Sequence, residues 1–279
     1  MIFDARPCEL GEGPLWHPLR NELLWFDILN RTLHSQARSW TFPEMVSAAG
    51  WISHDEVLIA SETALFRFDL ETGTQTHLVG LEADNPKTRS NDGRADPQGG
   101  FWIGTMGKIE GPGIPAQGAI YRYYRGELRK LFAPIAIPNA ISFPPGGKTA
   151  CFTDTTTGRV LRVALDADGW PKGNPETFLD LTAEGLDPDG AVFDADGIFW
   201  LAQWGASRVA AYAPDGSFLR AVAFDAPHTS CPAFGGDTLY CTTALHNMDA
   251  AARARHPNAG KTFMAKGVAQ GQLEHQFIP

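Results

Sequence analysis

Four oxygen-bearing side chains stand at one place in a recurring phrase of this sequence: Glu12 before Gly13-Pro14, Asn91 before Asp92-Gly93, Asn139 before Ala140-Ile141, and Asp189 before Gly190-Ala191. Two carboxylates and two amides gathered together are costly to bury alone, because like charges taken out of water raise one another's pKa. A divalent cation removes that cost. Oxygen donors favour the hard ions Ca²⁺, Mg²⁺ and Mn²⁺, and Ca²⁺ leads because it accepts about six to eight oxygens with waters completing the shell. Affinity order alone leaves Zn²⁺ and Fe²⁺ open. Any one of these residues read singly is ordinary turn chemistry, since Asn and Asp before Gly are common in turns. Four at the same repeat position are not, because turn formers have no reason to collect on one side of separate repeats.

The elements that must position them follow from the repeat. An apolar strand, a Pro/Gly/Asp turn and a second aromatic or aliphatic strand recur six times: Gly13-Pro14-Leu15-Trp16 leads to Leu24-Trp25-Phe26, Gly50-Trp51-Ile52 to Val57-Leu58-Ile59-Ala60, and Gly93-Arg94-Ala95-Asp96-Pro97 to Phe101-Trp102-Ile103. Ala140-Ile141-Ser142-Phe143 then leads to Cys151-Phe152-Thr153, Gly190-Ala191-Val192-Phe193 to Phe199-Trp200-Leu201, and Cys231-Pro232-Ala233-Phe234 to Leu239-Tyr240-Cys241. The period, about 33 to 50 residues, is that of a four-stranded blade. Third strands such as Leu65-Phe66-Arg67-Phe68 before Glu71-Thr72-Gly73 read as hairpin partners. The expected fold is all-β, a six-bladed β-propeller forming a single domain over residues 1–279. Innermost strands face the channel of such a ring, so equivalent positions converge on one volume; the second repeat offers Ala48 or Ala49 there and the sixth Thr229 or Ser230. A terminal strand should close the last blade, supplied by Ile2-Phe3 or by His275-Gln276-Phe277. No stretch keeps a helical apolar period, and Asn247 to Arg255 is expected as a surface loop.

Composition agrees. The chain has 29 Gly and 20 Pro among 279 residues with 43% hydrophobic content, which suits many tight turns around a sizeable core. A net charge of -9 and the lack of a Lys/Arg-rich run argue against a nucleic-acid partner. The N-terminal text lacks a basic region followed by an apolar one, and no run of some eighteen apolar residues occurs, so a soluble, cytoplasmic protein without a membrane partner is expected. Cys8, Cys151, Cys231 and Cys241 form no CxxC pair and read as small buried hydrophobes. Asp92, Asp96, Asp194 and Asp196 fit hairpin turns, and His17 and His246 read as surface or packing residues. No Gly-x-Ser-x-Gly elbow, His-Glu-x-x-His or phosphate-cradling glycine loop competes with the oxygen donors.

The phrases Leu10-Gly11-Glu12-Gly13-Pro14-Leu15-Trp16, Ser90-Asn91-Asp92-Gly93-Arg94 through Gly104-Thr105-Met106, Ile137-Pro138-Asn139-Ala140-Ile141 and Asp187-Pro188-Asp189-Gly190 resemble the gluconolactonase, regucalcin and luciferin-regenerating-enzyme family of six-bladed propellers. The resemblance runs from Leu10 to at least Gly267. It implies one divalent metal ion on Glu12, Asn139 and Asp189, and substrate contacts from Arg89 and Asn91. The more distant diisopropylfluorophosphatase-type propellers use an Asn as a ligand at the place of Asn91, which opens a direct or water-mediated metal contact there. It further implies hydrolysis of a small-molecule sugar lactone, an aldonolactone of the gluconolactone kind, to the aldonic acid. A carboxylate at the edge of the metal can take a proton from an adjacent water, which makes Asp189 the candidate base, the alternative being that a tightly coordinated Asp189 only ligates; a monomer or small homo-oligomer is expected. Rival readings are a phosphotriester or aryl-ester hydrolase on the same metal site, and a calcium-binding propeller without turnover. Two departures stand out. Pro138-Asn139-Ala140 replaces the Ser-Asn-Gly usual in animal regucalcins, and the Gly- and Pro-rich segment Gly107 to Gly118 is expected as a loop over the pocket, which leaves the sugar open.

Overall fold

The apolar second strand of each repeat carries large hydrophobic side chains at consecutive positions because both of its faces are buried. In the computed structural model, which describes residues 1–111 and 113–279, these strands belong to six four-stranded antiparallel sheets. Strand β1 (Ile2–Asp4) stands apart from the first sheet. Blade one is β2 (Gly11–His17), β3 (Glu22–Asp27), β4 (Thr32–Ser35) and β5 (Ser39–Thr41); blade two is β6 (Val46–Trp51), β7 (Glu56–Ser61), β8 (Ala64–Asp69) and β9 (Gln75–Gly80). Blade three is β10 (Thr88–Ala95), β11 (Phe101–Gly107), β12 (Gly118–Tyr124) and β13 (Glu127–Ile135); blade four is β14 (Pro138–Ser142), β15 (Thr149–Asp154), β16 (Arg159–Leu165) and β17 (Pro171–Asp180). Blade five is β18 (Asp187–Phe193), β19 (Phe199–Trp204), β20 (Arg208–Tyr212) and β21 (Phe218–Ala223), and blade six takes β22 (Thr229–Gly235), β23 (Thr238–Thr243) and β24 (Thr262–Ala265). The innermost strands touch in a closed cycle, β2 to β6, β10, β14, β18, β22 and back to β2, which makes the ring of a β-propeller.

Six apolar clusters fill the six junctions between blades. Alternation divides each second strand between two of them: Leu24 and Phe26 of β3 pack toward blade two while Leu23 and Trp25 pack toward blade six. In β11, Phe101 and Ile103 face blade two and Trp102 faces blade four. A blade is therefore stable only between neighbours, and closure matters. Of the two terminal segments considered for it, the N-terminal one does the work: blade six runs in the order β1-β24-β23-β22, with Ile2 opposite Phe263.

The C-terminal segment has a different task. It crosses the end of the channel opposite the four donors, from Gly271, which bridges Asp194, through Gln272 on the Phe143 carbonyl, to Phe277 N–H on the Trp51 carbonyl at 2.9 Å. Phe277 is fully buried between blades two and three, and Glu274 pairs with Arg94.

The stretch expected as a loop, Asn247 to Arg255, contains a short helix α1 (Ala250–Arg255), started by Asp249 Oδ1 accepting from Ala252 N–H at 2.7 Å. Asp96 and Asp194 do build hairpin turns, each accepting two backbone N–H groups, and Asp196 sits in the second. Asp92 does not: it lies inside β10, buried. All four cysteines are buried and free, and His17 is buried beside Trp51. Among the described residues no helix is long and apolar enough to cross a membrane.

Candidate active site

Each inner strand slips by one residue at the level of the donors. In blade one the register passes from Glu12 opposite Phe26 to Leu15 opposite Leu24, three steps against two. The same slip falls between Ser90 and Gly93, between Asn139 and Ser142, and between Pro188 and Ala191. The inner strands of blades two and six slip as well, at Val46/Ala48 and Thr229/Pro232. A bulge turns a side chain out of the strand's alternation, and here it turns one residue per blade toward a common point above the channel. The glycines after the donors permit this. Gly13 has φ 52, and a Cβ on it would lie 2.2 Å from the Ser47 carbonyl oxygen of blade two. A Cβ on Gly190 would lie 2.3 Å from Cys231 Sγ. Ala140 holds the same left-handed backbone at φ 54 without glycine's freedom, a strain on the order of 1 kcal/mol next to Asn139.

Glu12, Asn91, Asn139 and Asp189 converge at the floor of a cavity of about 730 Å³, together with Arg89 and Thr155. All of the first four, and Arg89, are buried. An unbroken hydrogen-bond chain links three blades. Arg89 Nη1 donates to Asn91 Oδ1 at 2.8 Å, and Asn91 Nδ2 donates to Asn139 Oδ1 at 2.9 Å and to the Pro138 carbonyl at 3.0 Å. Asn139 Nδ2 donates to Thr155 Oγ1 at 3.0 Å, and Thr155 Oγ1 donates to the Pro188 carbonyl at 2.7 Å. Asn91 thus spends its oxygen on Arg89 and turns its amide N–H to Asn139.

The charges are out of balance. Burial, then the charge of Asp92, pushes the Glu12 carboxyl up to about 8, against the Gly13 N–H bond and Arg89. Asp189 is pushed well above the carboxylate range by burial first and by Glu12 and Asp92 next. Asp92 itself rises to about 6 through burial, although it accepts the Ile141 N–H at 2.7 Å. Burial also pulls the Arg89 guanidinium down. Two buried carboxyls raised this way lack positive charge, and a cation between them would supply it. Among the described residues no group of three or more His, Cys, Asp and Glu is placed to hold a metal. An ion here would need oxygens beyond the two carboxylates, and the Asn139 side-chain oxygen lines the same cavity as Glu12 and Asp189. That mixed carboxylate and amide set fits a hard cation.

The cavity walls carry residues whose role the sequence did not signal. His246, expected at the surface or in packing, lines the cavity, and its Nε2 lies 3.2 Å from Glu110 Oε1. Glu110 belongs to the Gly/Pro segment Gly107 to Gly118 expected over the pocket, and that segment lines it with Gly107, residues 109–111 and residues 113–117, while Lys108 pairs with Glu62 and Pro112 lies outside the described residues. The His246 hydrogen bond holds the Glu110 carboxyl below its usual range. Trp204 adds an aromatic wall, backed by His228 stacked at 4.3 Å and 12°. Thr155 follows Asp154 in a single 3₁₀ turn (Thr155–Thr157), and Asp92 was read as a turn former; neither has a repeat partner that marks it.

Comparison with known proteins places this arrangement. The profile of the SMP-30/Gluconolactonase/LRE-like region matches residues 10–245. A Rhizobium meliloti (strain 1021) protein assigned as a sugar lactone lactonase is 42% identical, over 96% of this chain and 94% of its own length. The L-arabinolactonase of Azospirillum brasilense is 36% identical, over 99% of this chain and 94% of its own. The crystal structure of a calcium-binding protein, regucalcin, from Agrobacterium tumefaciens strain C58 superposes with a TM-score of 0.94 at 40% identity, covering all of this chain (100%) and 97% of that one.

Proposed function

The chain belongs to the SMP-30/gluconolactonase/LRE-like family, and from that premise we propose that it opens a sugar lactone to the aldonic acid with the help of one divalent ion held by Glu12, Asn139 and Asp189. Its relatives make it a hydrolase of cyclic carboxylic esters. The observation that carries the finer reading is the pair of buried, charge-starved carboxyls of Glu12 and Asp189 on the floor of an open cavity beside a guanidinium and two amides. When bound, such an ion supplies Lewis acidity toward the carbonyl and lowers the pKa of water. Ca²⁺ leads on the donor set, with Mg²⁺, Mn²⁺, Zn²⁺ and Fe²⁺ as alternatives.

The chain's own groups do the rest. Arg89 stands where the guanidinium hydrogens beyond Nη1 can donate to ring hydroxyls or to the ring oxygen, while Asn91, whose two amide hydrogens are engaged, can accept from a hydroxyl through Oδ1; a substrate lacking those groups would leave buried polar atoms unpaired. Trp204 and Met106 give the cavity an apolar wall for the sugar's C–H face. Asp189 accepts the proton of the attacking water, as a carboxylate at the edge of the ion with a water beside it in the cavity. As the bond from the acyl carbon to the ring oxygen breaks, the same carboxyl gives that proton to the departing ring oxygen, which becomes a hydroxyl of the aldonic acid.

The test is acid release from glucono-, galactono-, xylono- and arabinonolactone, by chelated protein to which each ion is returned in turn. Turnover that stops on chelation and resumes with at least one ion supports the reading. Rates untouched by excess chelator would sink the metal's part, and no turnover of any lactone would leave a binding protein.

A further inference from the structure

The hydrogen-bond chain across blades three, four and five runs in one direction, and both of its ends are fixed by chemistry. A guanidinium only donates, so the Asn91 atom facing Arg89 must be its oxygen, and the Asn91 amide N–H₂ must face Asn139. A peptide carbonyl only accepts, so the single proton of the Thr155 hydroxyl goes to the Pro188 carbonyl at 2.7 Å. Thr155 Oγ1 is then left as an acceptor, and the Asn139 atom facing it at 3.0 Å must be the amide nitrogen. The Asn139 oxygen is thereby turned away from Thr155, toward Asn91 and the cavity floor. Amide orientation, normally ambiguous, is decided here from either end.

We infer that Thr155 is a positioning residue: it fixes the orientation of the Asn139 amide so that its oxygen is presented to the cation, and it ties that amide to the Pro188 carbonyl, one residue from Asp189. The inference rests on the reading of Glu12, Asn139 and Asp189 as ligands. Geometry gives Thr155 this part. It opens the 3₁₀ turn after β15 and spans the gap between blades four and five, so the two ligands on those blades share one fixed bond path. Outer groups of this kind commonly change metal affinity by about 10- to 100-fold.

The experiment is calorimetric titration of Ca²⁺, Mn²⁺ and Zn²⁺ alone into chelator-stripped wild type, Thr155→Val and Thr155→Ser, with thermal melting of each stripped protein. Valine keeps the shape and removes both hydrogen bonds; serine keeps both. Thr155→Val is expected to weaken ion binding about 10- to 100-fold while Thr155→Ser stays within about threefold of wild type. Thr155→Val leaves the buried Asn139 amide and the buried Pro188 carbonyl without that hydroxyl, so its stripped form should melt somewhat below the other two while remaining folded at the titration temperature. Valine and wild type binding equally would overturn the role of Thr155, as would a serine variant as weak as valine. A wild type that takes up no ion would instead overturn the ligand reading itself, and the inference with it.

Discussion

Glu12→Gln separates a metal-ligating carboxylate from a merely structural one, because the two make opposite predictions for the stripped protein. Glutamine keeps the shape and can still accept the Gly13 N–H that Glu12 Oε2 accepts at 3.1 Å. What it removes is an ionisable group that burial and the Asp92 charge push from an ordinary 4.5 to about 8. A carboxyl with a raised folded pKa contributes its stability below the unfolded value and loses it as pH rises through the folded one. Holding Glu12 protonated at pH 7 therefore costs the stripped wild type on the order of 3 kcal/mol, at about 1.4 kcal/mol per pH unit above 4.5. Glutamine carries no such cost. Stripped Glu12→Gln should melt higher than stripped wild type at pH 7 by roughly 5 °C, at slightly under about 2 °C per kcal/mol for a chain of this size. The gap should close near pH 4.5 and stop growing above about pH 8. Adding an ion to about a hundred times its Kd should restore about 2.7 kcal/mol to wild type and nothing to the variant, which should also be inactive. Scanning fluorimetry from pH 4.5 to 8.5, with and without chelator, reads all of this. A stripped variant less stable than wild type at pH 7, or a gap independent of pH, would refute the reasoning.

Two further outcomes follow from the same structure. Arg89→Lys keeps the charge but gives up the planar fork that holds Asn91 while facing substrate, so KM for the best lactone should rise about tenfold or more with the ion-induced rise in melting retained; unchanged KM would remove Arg89 from substrate contact. Phe277→Ala empties a fully buried site between blades two and three, far from the donors, and should cost about 3 to 5 kcal/mol in urea unfolding while leaving ion affinity in place; a loss below about 1 kcal/mol would mean the C-terminal segment does not brace those two blades.

The six blades were legible because the requirement that creates them is local. A strand buried on both faces must be apolar at consecutive positions, and its hairpin needs Gly, Asp or Pro at the turn, so text such as Phe101-Trp102-Ile103 after Asp96-Pro97 announces its place. The positions of Glu12, Asn139 and Asp189 were legible for a related reason, since a repeat alignment on a ring is a statement about height along one axis. Asp92 was misread because Asn-Asp-Gly is also turn text. Within a bulge on a strand with two buried faces, neighbours 91 and 92 both point inward, one to the cavity floor and one to Ile141 N–H of blade four.

What stayed out of reach are contacts that join distant parts of the chain without a shared repeat position. His246 and Glu110 meet across 136 residues, and Arg94 and Glu274 across 180. No local pattern marks either pair, because each partner is an ordinary polar residue until closure of the ring brings the other beside it. The same holds for Thr155, whose importance comes from a carbonyl 33 residues away. The alignment of repeats thus fixes which residues reach the site, while the connections between blades decide which way their atoms face. As a ligand in the proposed reading, Asn139, whose two ends differ only in nitrogen and oxygen, would depend on those connections more than a carboxylate does: either oxygen of Glu12 or Asp189 could bind an ion, but only one end of Asn139 could. Substitutions around Asn139 should therefore affect ion binding more sharply than equally conservative ones around the two carboxylates.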